Sequence, residues 1–168
     1  NGLGVAVGDV NGNGFLDIFV ANDDMSNQLW MNQGDGTFIE DAIVSGVAVD
    51  VNGKPKAGMG TDFADVNDDG LLDLLVVNLS GEVDSLFTNK GGWFTDETSK
   101  SRLSAISRQY TRFGTGFRDL NNDGYLDLYV AGYEIWQKAV YADVLYRNVE
   151  GKDFVAYELP KARNMSAR

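Results

Sequence analysis

A nine-residue pattern of acidic, amide and glycine residues occurs three times in this chain of 168 residues. Acid or amide side chains fill its first, third, fifth and ninth positions, and glycine fills the sixth. The copies run from Asp9 to Asp17, from Asp65 to Asp73 and from Asp119 to Asp127. Alternating oxygens around a glycine turn suit a hard cation that takes many oxygen ligands, and therefore Ca²⁺ before Mg²⁺. The sequence thus predicts three cation-binding loops, repeated with a period of about 55 residues.

Each loop lies between two segments with the composition of β-strands. A glycine stands five residues before each first aspartate, within a short strand of glycine and apolar residues. An apolar strand follows each loop directly, and its apolar residues fall on both faces, which predicts burial on both sides. A third strand and a fourth, aromatic-containing strand follow, separated by a turn that contains glycine. The segments directly after the loops are 16–20, 72–77 and 126–130, and the fourth-strand aromatics are Phe38, Phe94 and Phe154.

Four short antiparallel strands per repeat predict an all-β fold of three four-stranded antiparallel units. The predicted divisions are 1–57, 58–112 and 113–159, with a C-terminal tail at 160–168.

Composition excludes several functional classes. The chain has no cysteine and no histidine, which excludes disulfides, thiolate chemistry and a Ser-His-Asp site. Its formal net charge is -11 and no basic patch is present, so we expect no nucleic-acid partner. No apolar run approaches the ~20 residues that cross a bilayer, so we expect no membrane span. We expect a protein that is not an enzyme.

The loops differ from the helical calcium motifs. An EF-hand has glutamate at its twelfth position and a helix on each side. Here the twelfth residues are Val20, Val76 and Val130, and they lie in predicted strands. Dockerin loops also continue into helices, and thrombospondin-type repeats need cysteines, so neither class matches.

The segment GMGTDFADVNDDGLLDLLVVN (58–78) resembles the FG-GAP/VCBS repeat, the blade of integrin-α-like β-propellers. Its spacing to LWMNQGDGTF (29–38) is similar to the subtype of the extracellular ASPIC group. The resemblance covers about residues 3 to 155. It implies that the three units are four-stranded antiparallel β-propeller-type blades, with one Ca²⁺ per repeat between the first and second strands of each blade. Propellers usually close with about four to eight blades, so three are too few to close a ring alone. We therefore expect a fragment of a longer propeller, a subunit that assembles with copies of itself, or a short capped array.

Carried over by position, this resemblance assigns side-chain and backbone ligands. The side-chain ligands are Asp9, Asn11, Asn13 and Asp17; Asp65, Asn67, Asp69 and Asp73; and Asp119, Asn121, Asp123 and Asp127. The backbone carbonyl ligands are those of Phe15, Leu71 and Tyr125. The first loop has Asn13 where the others have aspartate, so we expect its site to be the weakest.

The expected function is an extracellular calcium-binding repeat module with a structural, adhesion or assembly role. One alternative is a self-assembling subunit of an extracellular fibre or surface layer, and another is a non-catalytic accessory domain of a polysaccharide-active enzyme. The expected partners are proteins or further copies of the chain, bound through exposed blade edges into a filament or ring; carbohydrate is a further candidate.

Other local signals complete the prediction. Asn78 and Asn164 begin triplets that match the N-glycosylation acceptor pattern, which also arises by chance. Asn52-Gly53 predicts a small hairpin, 98–107 one helical turn, and 133–143 an insertion in the third repeat. The repeated aromatics predict blade-to-blade packing. They are Trp30, Phe38, Phe63, Phe87, Trp93, Phe94, Phe117, Tyr146 and Phe154.

Overall fold

The structure is a computed structural model that describes residues 1–108, 110–133 and 143–157. Twelve strands in this part of the chain form three four-stranded sheets, each with consecutive strands paired antiparallel. Sheet I contains β1 (Gly2–Gly8), β2 (Asp17–Asn22), β3 (Gln28–Asn32) and β4 (Phe38–Glu40). Sheet II contains β5 (Gly58–Ala64), β6 (Asp73–Asn78), β7 (Ser85–Asn89) and β8 (Phe94–Asp96). Sheet III contains β9 (Thr111–Arg118), β10 (Asp127–Tyr133), β11 (Val144–Val149) and β12 (Asp153–Tyr157). The prediction of an all-β fold of three four-stranded antiparallel sheets is confirmed.

Each nine-residue pattern connects the first two strands of its sheet. The strand pairing ends at Gly8 with Asp17, at Ala64 with Asp73 and at Arg118 with Asp127. The ninth residue of each pattern therefore begins the second strand. We call these connections loop 1, loop 2 and loop 3.

The first strands of neighbouring sheets lie beside one another, β1 against β5 and β5 against β9. The glycines of the predicted first strands make this approach possible. A Cβ atom on Gly60 would collide with the carbonyl oxygen of Phe113 in β9, and one on Gly4 would lie 3.1 Å from the Cα of Gly60. Glycine at these positions therefore lets neighbouring backbones pack closely.

Two apolar cores fill the space between successive sheets. Phe19 and Leu29 of sheet I pack with Leu74 and Phe87 of sheet II in the first core. The second core joins sheets II and III, and the rings of Phe117 and Phe154 are 6.4 Å apart there. Because the central sheet lies between two others, it contributes to both cores.

Burial on both sides is confirmed for β6, whose six residues are all buried. The same prediction is wrong for part of β2 and β10, whose outer faces stay partly accessible. Ile18 and Val20 are only half-buried, and Tyr129 is exposed. Of the repeated aromatics, Phe38 and Trp93 are also exposed rather than packed in a core.

A buried ion pair links sheets II and III. Nη1 of Arg112 lies 2.8 Å from Oδ2 of Asp84 and donates to the Tyr146 hydroxyl at 2.9 Å. Arg112 is 0% exposed, and its guanidinium carbon lies 5.6 Å from the centre of the Tyr146 ring. Burial raises the pKa of Asp84 to about 6, although the Arg112 charge and the Asn78 N–H oppose the shift. Burial therefore disfavours the Asp84 carboxylate, and the Arg112 guanidinium offsets part of that cost.

The connections between sheets are partly as predicted. A four-residue helix, α1 (Ser104–Ser107), lies within the segment predicted to hold one helical turn. Asn52-Gly53 forms a turn in which Asp50 accepts the N–H groups of Asn52 and Lys54, but no strands flank it. Most of the predicted insertion at 133–143, and all of the tail at 160–168, lie outside the described residues.

Among the described residues, no helix has the length and apolar character needed to cross a membrane.

Candidate metal loops

The first aspartate of each loop organises the loop backbone. In loop 2, Oδ1 of Asp65 accepts the N–H of Asp69 at 3.1 Å, and Oδ2 accepts the N–H of Gly70 at 2.8 Å. An aspartate bonded this way closes the turn while the other lone pairs of its oxygens stay available. The equivalent donors are Gly12, Asn13 and Gly14 to Asp9, and Asp123 and Gly124 to Asp119.

The side chains at the third and fifth positions accept the same kind of backbone hydrogen bond in all three loops. Oδ1 of Asn67 accepts the N–H of Asp69, and Oδ1 of Asp69 accepts the N–H of Leu71, both at 3.0 Å. Such bonds to the residue two positions on are the Asx-turns that Asp and Asn favour. The loops therefore bring their first, third and fifth side chains together on one turn. In loop 1 the matching bonds are donated by the N–H groups of Asn13 and Phe15, and in loop 3 by those of Asp123 and Tyr125.

The sixth-position glycines adopt a backbone conformation that other residues rarely adopt. Their φ angles are 87° at Gly14, 84° at Gly70 and 93° at Gly124. The fourth positions also have positive φ angles, of 60° at Asp68 and at Asn122, a region that Asp and Asn tolerate better than most residues. The glycine of the pattern is therefore explained by turn geometry alone.

The ninth aspartate has a different role from the other acidic residues. Asp73 is 1% exposed, with Oδ2 accepting the N–H of Val66 at 3.2 Å and Oδ1 accepting that of Asn89 at 2.8 Å. It therefore ties the second residue of the loop to the end of the third strand. The equivalent pairs are Val10 and Asn32 with Asp17, and Leu120 and Asn148 with Asp127.

The negative charge of Asp73 is destabilised by burial and by neighbouring carboxylates. Burial raises its pKa to about 6, and the nearby charges of Asp69 and Asp65 add to the shift, although the N–H groups of Asn89 and Val66 oppose it. Three carboxylates in one loop repel one another, and a bound cation would offset that repulsion.

The donor chemistry of the loops fits a hard cation, since every candidate ligand is an oxygen. In the part of the chain that the structure describes, however, no three acidic side chains are grouped closely enough to hold a metal ion. The ninth aspartates are turned into the protein, where each accepts two backbone N–H groups. Coordination would therefore also need the amide oxygens at the third positions and the backbone carbonyls at the seventh.

Loop 3 differs from the other two loops because a positively charged side chain lies beside it. Nη2 of Arg147 in β11 lies 3.3 Å from Oδ2 of Asp123, the fifth-position residue of the loop. The matching strand residues beside loops 1 and 2 are Met31 and Thr88, which carry no charge. The loop 3 carboxylates therefore already share a positive charge.

The asparagines at or next to the ends of the third strands were not predicted to have a role. Nδ2 of Asn89 donates to the carbonyl oxygen of Val10 at 2.7 Å, which links loop 1 to sheet II. Nδ2 of Asn148 donates to the carbonyl oxygen of Val66 at 2.8 Å, which links loop 2 to sheet III. The recurrence of asparagine at the same repeat position was the available signal in the sequence.

The glycosylation pattern at Asn78 falls on a buried side chain. Asn78 is 1% exposed, and its Nδ2 donates to the Val83 carbonyl oxygen at 2.7 Å. A glycan on this nitrogen would not fit the folded sheet. Asn164 lies outside the described residues.

Four-stranded sheets stacked through their first strands, with an acidic loop inside the first hairpin of each, define a class of β-repeat proteins. A sequence profile described as "FG-GAP-like repeat" matches residues 9–76 and 65–130. The two matches together span well over half of the chain, which belongs to the FG-GAP-like repeat family. The resemblance seen in the sequence is confirmed.

Proteins of similar sequence agree with membership of the FG-GAP-like repeat family. The chain is 40% identical over 80 residues to Cartilage acidic protein 1 of Xenopus tropicalis. It is 38% identical over 80 residues to the proteins of the same name from Mus musculus and Homo sapiens. These alignments cover 48% of the chain and only 12% of the length of each relative.

Proposed function

We propose that the chain is an extracellular calcium-binding repeat module whose ions stabilise the sheets, and that its role is structural, in adhesion or assembly. The observation that carries the proposal is the common frame of the three loops. In each, the first aspartate accepts the fifth and sixth N–H groups, and the third and fifth side chains form Asx-turns. A turn needs the glycine, but it does not need several carboxylates that repel one another.

A structural role is supported by the position of the loops. Each loop closes the first hairpin of its sheet, and its ninth aspartate bonds the third strand. An ion held there would fix three strands relative to one another. None of this chemistry requires a reacting substrate, and the module is therefore proposed as non-enzymatic.

An extracellular location is supported by the family resemblance and by the relatives, which are named Cartilage acidic protein 1. Calcium modules of extracellular proteins bind with Kd values of about 10⁻⁴–10⁻³ M. Loops that hold two or three carboxylates with amide and carbonyl ligands are consistent with such modest affinity.

Chelation tests this proposal directly. Removing calcium with EDTA is expected to lower the melting temperature, because an ion that binds the folded chain stabilises it. Each site saturated about a hundredfold above its Kd adds about 2.7 kcal/mol, or roughly 5–10 °C for a chain of this size. Calorimetric melts with calcium, with EDTA and with calcium restored measure the effect.

A matched pair of variants controls this experiment. Asp65→Asn removes a proposed ligand charge and is expected to reduce the calcium-dependent gain. Asp68→Asn removes an exposed charge from the same loop, at a position where loop 3 already carries Asn122, and is expected to leave the gain unchanged. Superimposable melts with calcium and with EDTA would reject the proposal.

The fifth position of loop 1 gives a second prediction. Loop 1 has Asn13 where loops 2 and 3 have aspartate, so its site is expected to be weaker than that of loop 2. Asn13→Asp should tighten the loop 1 site by about tenfold, equivalent to about 1.4 kcal/mol, because a carboxylate attracts calcium more strongly than an amide. Titration calorimetry would show this change, with Asp69→Asn weakening loop 2 as the reciprocal control. A loop 1 site that is the tightest in the wild-type chain would count against this explanation.

Arg147 gives a third prediction, for loop 3. Its guanidinium competes with a metal ion for Asp123, and exposed ion pairs of this kind contribute about 0.2–1 kcal/mol. Arg147→Thr, which installs the residue found beside loop 2, should tighten calcium binding at loop 3 by about 1.4- to fivefold. Thr88→Arg should weaken the loop 2 site in the same titration. Unchanged loop 3 affinity in Arg147→Thr would mean that Arg147 does not compete.

A further inference from the structure

A small internal cavity lies where the segment between sheets I and II packs against β6 and β7. It leaves about 10 Å³ for the centre of a water molecule, which is close to the least space that holds one. Three of its lining residues are apolar and five carry polar or charged side chains. They are Val49, Val76 and Phe87, and Asn27, Asp50, Lys56, Asn78 and Ser85. This lining suits a small polar occupant.

Asn78 supplies a buried acceptor that needs a donor. The residue is 1% exposed, and its Oδ1 has no hydrogen-bond donor among the described residues. The orientation of the amide is fixed by its nitrogen, since Nδ2 donates to the Val83 carbonyl oxygen at 2.7 Å. Turning the amide by half a rotation would place Oδ1 against that oxygen, so two acceptors would face each other. Buried polar groups nearly always have a partner in folded proteins, either a protein group or an ordered water.

Lys56 supplies the complementary donor. Its ammonium group has three N–H bonds. Nζ donates to the Val83 carbonyl oxygen at 3.1 Å and to Oγ of Ser85 at 2.7 Å. In the part of the chain that the structure describes, no third acceptor bonds this group. One N–H of Lys56 is therefore available to a further partner.

The amide of Asn78 and the ammonium of Lys56 lie near the same two oxygens. Nδ2 of Asn78 also approaches Oγ of Ser85, at 3.5 Å, so both nitrogens bond the Val83 carbonyl and the Ser85 hydroxyl. No direct hydrogen bond joins Oδ1 of Asn78 to Nζ of Lys56. Because both residues line the cavity, a molecule inside it lies between a buried acceptor and an available donor.

We propose that this cavity binds one structural water molecule, which accepts a hydrogen bond from Nζ of Lys56 and donates one to Oδ1 of Asn78. Asp50 also lines the cavity, and its carboxylate is the further acceptor for the second hydrogen of the water. Three polar partners are the usual number for a buried water. The inference goes beyond the proposed function and does not depend on metal binding.

Water fits this cavity better than an ion does. The occupant must accept from Lys56 and donate to Asn78 within the volume of one water molecule, and a simple anion has no hydrogen to donate. A metal cation would lie beside the positive charge of Lys56, which disfavours it. Water alone among these occupants satisfies both groups.

The position of the water connects the segment between sheets I and II to sheet II. Asp50 and Lys56 belong to that segment, whereas Asn78 ends β6. Asp50 and Lys56 also line a surface cleft of about 690 Å³, so the water lies next to a route to solvent. Asn22 ends β2 at the equivalent position of sheet I, and its Nδ2 likewise donates to a carbonyl oxygen, that of Ser26. Its Oδ1 is not among the described buried atoms that lack a partner, so the site is particular to sheet II.

A high-resolution crystal structure of the chain tests this proposal. The expected result is a density peak within about 2.7–3.2 Å of both Nζ of Lys56 and Oδ1 of Asn78, as ordered as the surrounding protein atoms. A cavity without such a peak would overturn the proposal. An ammonium group of Lys56 that bonds Oδ1 directly would also overturn it, because the acceptor would then need no water.

Two lysine variants test the donor in solution. Lys56→Met keeps an unbranched side chain but removes the N–H groups, so the nuclear Overhauser contact between water and the Nδ2 hydrogens of Asn78 should weaken severalfold or vanish. Lys54→Met is the matched control, since Lys54 is exposed and lines the surface cleft but not the small cavity. It should keep the contact at wild-type strength. An unchanged contact in Lys56→Met, or an equal loss in both variants, would overturn the assignment of Lys56 as the donor. The wild-type crystal structure decides the proposal even if a variant fails to fold.

Discussion

Replacing Arg112 with methionine is expected to lower the free energy of unfolding by about 3–5 kcal/mol, the cost of breaking a buried ion pair. The change leaves the buried Asp84 carboxyl group without the cation that lies 2.8 Å from it, so that this group must either stay charged and unpaired or take up a proton. It also removes the donor that bonds the Tyr146 hydroxyl within sheet III. Urea denaturation followed by tryptophan fluorescence measures the loss.

Two further variants show whether the cost arises from an unpaired buried charge. The double variant Arg112→Met with Asp84→Asn removes both charges, and it should recover a large part of the lost stability. Arg102→Met breaks the exposed pair of Arg102 with Asp153, and its cost should stay within about 1 kcal/mol. Equal effects of Arg112→Met and Arg102→Met would contradict this account of the contact.

Asn89→Ala is expected to cost about 3 kcal/mol, since each hydrogen bond contributes about 1 kcal/mol and buried partners are left unsatisfied. The Asn89 side chain makes four hydrogen bonds, to the carbonyls of Val10 and Leu72 and from the N–H groups of Gly91 and Gly92. The bond to Val10 joins two sheets, so the variant should also loosen loop 1. Thermal and urea denaturation give the loss of stability, and hydrogen exchange of the loop 1 amides gives the local effect.

The repeat supplies a matched control for this prediction. Asn32 occupies the same position in sheet I, but its side chain bonds only Leu16 and Gly34 among the described residues. Asn32→Ala should therefore cost about 1 kcal/mol. If Asn32→Ala proved as damaging as Asn89→Ala, the bond across the sheets would have no special importance.

Much of the fold could be predicted because its signals are local. The alternation around each loop, the apolar run after it and the glycine before it fixed four strands per repeat. Gly70 is required by a φ of 84°, and Gly60 by the approach of β9, so both glycines of the pattern have structural causes. These features recur within each repeat and need no knowledge of how the repeats pack.

The contacts between sheets could not be predicted, because they join residues that are distant in the chain. Arg112 in β9 of sheet III bonds Asp84, which lies just before β7 of sheet II. Asn89 in sheet II bonds Val10 in loop 1 of sheet I, far away in the sequence. The ninth aspartate was expected to serve only as a ligand. Its two bonds to backbone N–H groups become visible only when the loop lies against the end of the third strand.

The exposed face of β2 could not be predicted for the same reason, because its burial depends on residues that are distant in the chain. The pattern of Ile18 and Val20 matches that of Leu74 and Val76, but the first pair is half-buried and the second is buried. The difference depends on which sheet lies alongside, and a local pattern contains no information about neighbours. The exposure of Leu120, whose counterparts Val10 and Val66 are buried, emerged only from comparing equivalent positions in the folded repeats.

The calcium stoichiometry of the chain is the most direct test of the proposed function. Equilibrium dialysis of the purified chain against calcium concentrations raised until binding saturates would count the bound ions. The account predicts one ion for each of the three loops, with one lost in Asp65→Asn and none lost in Asp68→Asn. A chain that binds no calcium under these conditions, or that binds the same number in both variants, would contradict it.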